Sequence, residues 1–221
     1  MSAQFYDRVE AGRLLAEKLG RFANRPDVLV IGLPRGGVPV AAQVAQELNA
    51  PLEVFIVRKL GTPGQEELAM GAIATGGIRV LNAAVVDSLG ISDEVIAAAE
   101  ARELRELERR EHAYRAGRPP ADVEGRTVLI VDDGIATGST MLAAIAALRI
   151  LKAGRIVAAA PTIAADTFLT IERQVDEIVA VIAPHDFRGV GQWYEHFPQT
   201  TDEEVREILA QSDARFRAAN P

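Results

Sequence analysis

Two adjacent carboxylates followed by a run of small hydroxyl residues are the part of this sequence best equipped for chemistry. Residues 127–141 read Thr-Val-Leu-Ile-Val-Asp-Asp-Gly-Ile-Ala-Thr-Gly-Ser-Thr-Met. Asp132 and Asp133 stand where the apolar run Val128 to Val131 stops. Gly134, Ala136, Thr137, Gly138, Ser139 and Thr140 follow, and an apolar, alanine-rich stretch begins at Met141. The run before the acids predicts a strand covered on both faces of a parallel sheet, and the stretch after the loop predicts a helix. A helix N-terminus offers unpaired N–H groups and a partial positive charge, so the loop suits a phosphate. The glycines let the backbone come close to the anion, and Thr137, Ser139 and Thr140 add hydroxyl donors. Carboxylates repel a phosphate, so their partners are expected to be vicinal sugar hydroxyls or a Mg²⁺ ion. A phosphate and a diol held side by side suggest a ribose phosphate.

Other readings of the same residues exist. An acidic pair at a strand end also occurs in phosphoacceptor receiver domains, where it closes the first strand, but here more than a hundred residues precede it. A Walker loop requires Gly-Lys-Ser/Thr, and this loop holds no lysine. A plain strand-to-helix turn with an Asp cap needs only one acid. The stretch Val-Asp-Asp-Gly-Ile-Ala-Thr-Gly-Ser-Thr resembles the motif by which type I phosphoribosyltransferases bind 5-phosphoribosyl pyrophosphate (PRPP). The resemblance implies that Asp132 and Asp133 hold the ribose 2′- and 3′-hydroxyls, and that Gly134 to Thr140, Ala136 included, hold the 5′-phosphate. It also implies Mg²⁺ as cofactor, carried mostly by PRPP and water with Asp132 and Asp133 contributing, and a homodimer as the usual assembly.

A second candidate lies upstream. Val28 to Ile31 is another apolar run, ending in Gly32-Leu-Pro-Arg-Gly-Gly-Val-Pro39 before a helix through Val40, Val44 and Leu48. By resemblance Pro34, Arg35, Gly36 and Gly37 form the pyrophosphate loop; without it they read as an ordinary turn with a surface arginine. Val54 to Val57 predicts a third strand ending in Arg58-Lys59, one of only three lysines in the chain. Ligands of open parallel sheets bind at that edge, and the resemblance makes Arg58 and Lys59 part of the catalytic and pyrophosphate set. The polar stretch Leu60 to Leu68, with two glycines and a proline, predicts a long loop, either a catalytic lid that excludes water or a plain surface loop.

The remaining elements are those that must position these groups. Residues 7–23 predict an amphipathic helix. Met70–Thr75 and Ile78–Leu81 around Gly76-Gly77 predict a hairpin, and Ser92 to Tyr114 predicts an exposed, charge-rich helix that ends between Gly117 and Pro120. Strands over 155–160 and 177–182 with a helix over 164–175 continue the alternation, so the expected architecture is α/β, doubly wound, with a mainly parallel β-sheet flanked by helices and a small hood. One domain is expected across 1–221, with a helical insertion at 82–118 and the hood at about 184–200. Although aromatics are 5% of the chain, Phe187, Trp193 and Tyr194 gather there. They could stack on a flat acceptor or anchor the segment to the core. Thr201-Asp-Glu-Glu predicts a capped final helix.

With 221 residues, 48% hydrophobic and 25% charged, the chain can bury a full core. No run of about 18 apolar residues is present, so no membrane span is expected, and the first residues lack the pattern of a signal peptide. The absence of cysteine excludes disulfides and thiolate metal sites and agrees with a cytoplasmic location. A net charge of −7 argues against general nucleic-acid binding, so the partners expected are PRPP and a small-molecule acceptor. The overall expectation is transfer of a phosphoribosyl group to a nitrogenous acceptor with release of pyrophosphate; a non-catalytic PRPP-binding regulator is the alternative. Where relatives of the hypoxanthine–guanine type usually carry an aspartate before Thr-Gly, this sequence has Ala136, which can neither take a proton nor hydrogen-bond a base. Hypoxanthine, guanine and xanthine are therefore expected to be poor acceptors, short of the roughly 10²–10⁴-fold that general-base help supplies; efficient nucleotide formation from any of them in steady-state assays would refute this.

Overall fold

The computed structural model describes residues 4–115 and 119–220. Its centre is a five-stranded parallel sheet: β1 (Val28–Gly32), β2 (Leu52–Val54), β6 (Thr127–Val131), β7 (Arg155–Thr162) and β8 (Glu177–Ile182), in the order β2-β1-β6-β7-β8. Between β2 and β6 the chain builds an antiparallel sheet of β3 (Val57–Thr62), β4 (Gln65–Ala74) and β5 (Ile78–Leu81), then helices α3 (Ala83–Leu89) and α4 (Asp93–Arg115). The remaining helices are α1 (Arg8–Lys18), α2 (Gly37–Leu48), α5 (Ser139–Ile150), α6 (Ala165–Glu172) and α7 (Asp202–Ala219).

The unbroken apolar runs of β1 and β6 are explained by burial on both faces. Val28, Val30, Leu129 and Val131 turn toward α1 and α2, against Leu15, Val40, Ala41 and Val44. Leu29, Ile31, Val128 and Ile130 turn the other way, against Met141, Ala144, Ile145 and Leu148 of α5. A third apolar cluster joins the antiparallel sheet (Leu60, Met70, Ile73) to α4 and to Val205 and Leu209 of α7. The architecture is thus the doubly wound, mainly parallel α/β sheet that the alternation predicts.

The hairpin predicted at Gly76-Gly77 is present, with both glycines at positive φ (+81° and +71°) and Ala74 paired to Ile78. Two expectations differ. β2 stops at Val54 and β3 starts at Val57, so Arg58 and Lys59 lie inside an antiparallel strand and not at the carboxyl end of a parallel one. Leu60 to Leu68 is no long loop: Thr62 pairs with Gln65 across a tight turn, with irregular register at Leu60, Gly61 and Thr62. Its polar residues and glycines resemble loop composition, but backbone pairing with β4 absorbs them. The helix stop expected from Gly117 to Pro120 falls partly outside the described residues. No helix among the described residues is long and apolar enough to cross a membrane. Leu129 is fully buried in the central strand, so Leu129→Ala should cost about 2–5 kcal/mol, read as a lowered denaturant midpoint with unchanged slope.

Candidate active site

β1 and β6 are neighbours in register, Gly32 opposite Val131, so the turns that leave their carboxyl ends emerge side by side. Chain order along the sheet reverses at this pair: from β1 the chain moves outward to β2, then returns to the other side of β1 as β6. That is the switch point where open α/β sheets bind ligands. The 33–37 turn and the 132–138 turn touch closely enough to dictate glycine. A Cβ on Gly36 would lie 2.0 Å from Asp133 Oδ2, and one on Gly37 would lie 2.7 Å from the Val131 carbonyl oxygen.

Both turns lead into helices without a side-chain cap, although in α2 the Gly37 and Val38 amides donate to the Leu33 and Arg35 carbonyls at 3.0 and 3.2 Å. Neither α2, with Gly36 as N-cap, nor α5, with Gly138 as N-cap, has a side-chain cap bond. Asp7 caps α1, Asn82 caps α3, and Thr201 and Glu204 form a capping box on α7, while α6, which starts after Ala164, also lacks a side-chain cap. Uncapped N-termini at a crevice are suited to anions. In the second turn Gly138 takes φ +75°, Thr137 Oγ1 and Ser139 Oγ lie 3.1 Å apart, and the Thr167 hydroxyl donates to the Ala136 carbonyl at 2.5 Å. Ala136 and Thr137 are exposed, Ser139 and Thr140 half-buried.

The acidic pair is held from below. The Asp133 amide donates to Asp132 Oδ1 at 2.9 Å, and the Tyr194 hydroxyl, kept protonated by burial, donates to the Asp133 carbonyl at 2.5 Å. Arg8 Nε donates to Asp133 Oδ2 at 2.9 Å and Arg8 Nη1 to the Pro198 carbonyl at 2.7 Å. Burial and the adjacent Asp133 carboxylate push Asp132 well above the usual carboxylate range. Burial raises Asp133 as well, with Arg8 opposing it.

The other residues singled out in the sequence are placed differently. Arg58 donates through Nε and Nη2 to Glu103 Oε2 of α4, at 3.0 and 2.6 Å. Arg35 points toward Asp202 at 3.8 Å, a carboxylate held below its ordinary range by the Tyr114 hydroxyl, with Arg35 and Arg109 beside it. Lys59 is exposed. Trp193 and Tyr194 are buried in a cluster with Phe5 and Ala11, and Tyr194 stacks on Phe197 at 4.8 Å. Of the two roles the sequence leaves open, Trp193 and Tyr194 have the packing of an anchor, and Phe187 alone of the three is half-buried. Val190 covers Gly134, where a Cβ would meet its Cγ1 at 2.4 Å. Arg8 is the residue that sequence reasoning missed. It carries no local motif and reaches Asp133 across 125 positions; the one available signal was a charged residue at a helix start.

Among the described residues no cluster of three or more His, Cys, Asp or Glu forms a cation cage. Asp133 is buried and paired with Arg8, Asp132 is half-buried beside it, and together they leave negative charge incompletely offset. Mg²⁺ is typically held by one or two carboxylates together with substrate phosphates, so this donor set fits a cation shared with a phosphorylated ligand.

Fold and crevice together define an open-sheet α/β protein with its binding edge at the switch point. Residues 3–167 match the phosphoribosyl transferase domain, and the chain belongs to that family. It is 45% identical over 215 residues to proteins from two strains of Mycobacterium tuberculosis, provisionally named phosphoribosyl transferases; the match covers 97% of this chain but 48% of theirs, so the chain spans about half their length. The crystal structure of the protein TT1426 from Thermus thermophilus is 39% identical, with a TM-score of 0.84 over 94% of this chain and 98% of that one. The AQ2163 protein of Aquifex aeolicus, at 13% identity and TM-score 0.51 over 91% of this chain and 84% of that one, shares the fold.

A carboxyl whose folded pKa is raised favours folding only while protonated. Its contribution is intact below the unfolded value of about 3.9, is lost as pH rises, and is gone above the folded value. Asp132→Asn keeps the acceptor for the Asp133 amide and removes that loss. The variant should therefore match the parent in thermal melts near pH 3 and melt higher at pH 7; equal melting temperatures at both would contradict the strained-acid reading.

Proposed function

We propose that the protein transfers the 5-phosphoribosyl group from PRPP to a nitrogenous acceptor and releases pyrophosphate. The observation that carries this reading is the contact of the two turns: the acidic pair after β6, which leads into a hydroxyl-lined helix start without a side-chain cap, lies against the glycine turn after β1. A ribose phosphate bearing a diphosphate has its charges and hydroxyls distributed to match. Asp132 and Asp133 would accept from the ribose hydroxyls. Backbone N–H groups of Gly134, Ala136, Thr137, Gly138, Ser139 and Thr140, with the Thr137, Ser139 and Thr140 hydroxyls, would hold the 5′-phosphate. Pro34, Arg35, Gly36 and Gly37 would cradle the diphosphate, with Lys59 as a further cation.

In the reaction the C1–oxygen bond breaks and its electron pair leaves with pyrophosphate. The acceptor nitrogen supplies the pair for the new C1–N bond and then loses its proton. Positive charge grows on the sugar ring as pyrophosphate departs, so positioning the sugar and neutralising the leaving group carry the rate. No protein nucleophile is required. Mg²⁺ bound with PRPP supplies charge neutralisation on the diphosphate.

The engagement of Arg58 by Glu103 is the observation that favours the alternative, a PRPP-binding regulator without turnover, because that cation would have to exchange partners to reach a phosphate. Pyrophosphate release from PRPP and Mg²⁺ across a panel of nucleobases and amines decides between them. Turnover with at least one acceptor, abolished in Asp132→Asn/Asp133→Asn while the fold persists by circular dichroism, is expected. PRPP binding without turnover on the whole panel would favour the regulator, and unchanged PRPP affinity in the double variant would end the ribose-binding reading.

A further inference from the structure

Arg8 belongs to neither turn, yet it is the cation that touches the acidic pair. Its guanidinium is held on three sides: Nε on Asp133 Oδ2 at 2.9 Å, Nη1 on the Pro198 carbonyl at 2.7 Å, and the Phe197 ring 3.8 Å from its centre. Three directions of contact fix a planar group in a way an ammonium cannot reproduce. The backbone that carries it is fixed as well. Asp7 caps α1 through the Val9 and Glu10 amides, and residues 4–6 are bonded to 193–196, with the Phe5 amide on the Trp193 carbonyl at 2.9 Å and the His196 amide on the Tyr6 carbonyl at 2.8 Å. On its far side Asp133 Oδ2 abuts Gly36 with no room for a methyl group. One acid of the pair is clamped between Arg8 and the first turn, while among the described residues no arginine is bonded to Asp132.

We infer that Arg8 is a positioning residue that divides the work of the acidic pair: by clamping Asp133 it fixes one sugar-hydroxyl acceptor in place and leaves Asp132 as the acid whose charge the incoming ligand offsets. The inference rests on the phosphoribosyl reading above and goes beyond it, because a buried ion pair could instead serve only to dock α1. The two roles differ in coupling. A residue that acts through Asp133 has nothing left to position once Asp133 is changed, so the two substitutions must be non-additive in ligand affinity.

The test is a double-mutant cycle of Arg8→Gln and Asp133→Asn, read by calorimetric titration of the full chain with PRPP and Mg²⁺. Each single variant should weaken binding by about 10- to 100-fold, the worth of one charge-assisted hydrogen bond, and the double variant should be no weaker than Asp133→Asn alone. Arg8→Lys, which keeps the charge but not the three-sided hold, should recover part of the loss and serves if Arg8→Gln does not fold. Additive losses, or Arg8 variants that bind PRPP as tightly as the parent, would overturn the positioning role while leaving the phosphoribosyl reading intact. A parent chain that binds no PRPP would overturn that reading first and this inference with it.

Discussion

Parallel pairing of β1 with β6, in register from Val28 opposite Thr127 to Gly32 opposite Val131, is the constraint on which the crevice depends. A shift by one residue would turn every core side chain of β6 to the opposite face, exchanging the layer packed on α2 with the layer packed on α5. It would also move Asp132 and Asp133 off the Gly36-Gly37 turn. Because both strands are covered on both faces, the register is specified twice, once by each apolar layer. The precision at the edge of the sheet is inherited from the interior.

At that edge one acid, Asp133, is paired with Arg8, and its neighbour Asp132 is not bonded to an arginine among the described residues. Asp132 is pushed up by burial and by its neighbour, a state that opposes folding at neutral pH and suits a group waiting for a ligand. Two of the candidate cations are engaged by acids, Arg58 with Glu103 and Arg35 with Asp202. Those carboxylates sit on α4 and α7, which share an apolar cluster with the antiparallel sheet. The charge state of the crevice is therefore tied to the packing of elements that lie outside the parallel sheet.

How much of this was legible in the sequence follows from the range of each interaction. The apolar runs of β1 and β6 and the Gly76-Gly77 hairpin are local patterns, and they gave the alternation and hence the sheet. The residues of the second turn could be singled out because acids, glycines and hydroxyls at close spacing have few other uses, whereas Pro34 to Gly37 were named by resemblance alone. Arg58 and Lys59 were placed at a strand's end, but Phe55 and Ile56 are a buried link between two sheets and nothing in their composition says so. Leu60 to Leu68 has loop-like composition and became a hairpin through pairing with β4. Trp193 and Tyr194 could serve a ligand or a core equally well by type, and the partners they pack on, Phe5 and Ala11, are too distant in the chain to be read from it. Arg8 was invisible for the same reason.

The separation that hides these partners from the eye also orders events in time. Val28 and Arg126 lie 98 positions apart yet bond across the β1–β6 seam, and the whole antiparallel sheet with α3 and α4 is threaded between them. Closing so long a loop carries an entropic cost that local contacts do not. On the ribosome, β1 leaves the exit tunnel long before its central neighbour has been translated, and until then it has only the three-residue β2 as a sheet partner. The nascent chain must therefore hold a wholly apolar strand with one edge open through the synthesis of everything between Gly32 and Thr127, and its exposure to chaperones and to self-association is set by the same topology that later makes the crevice.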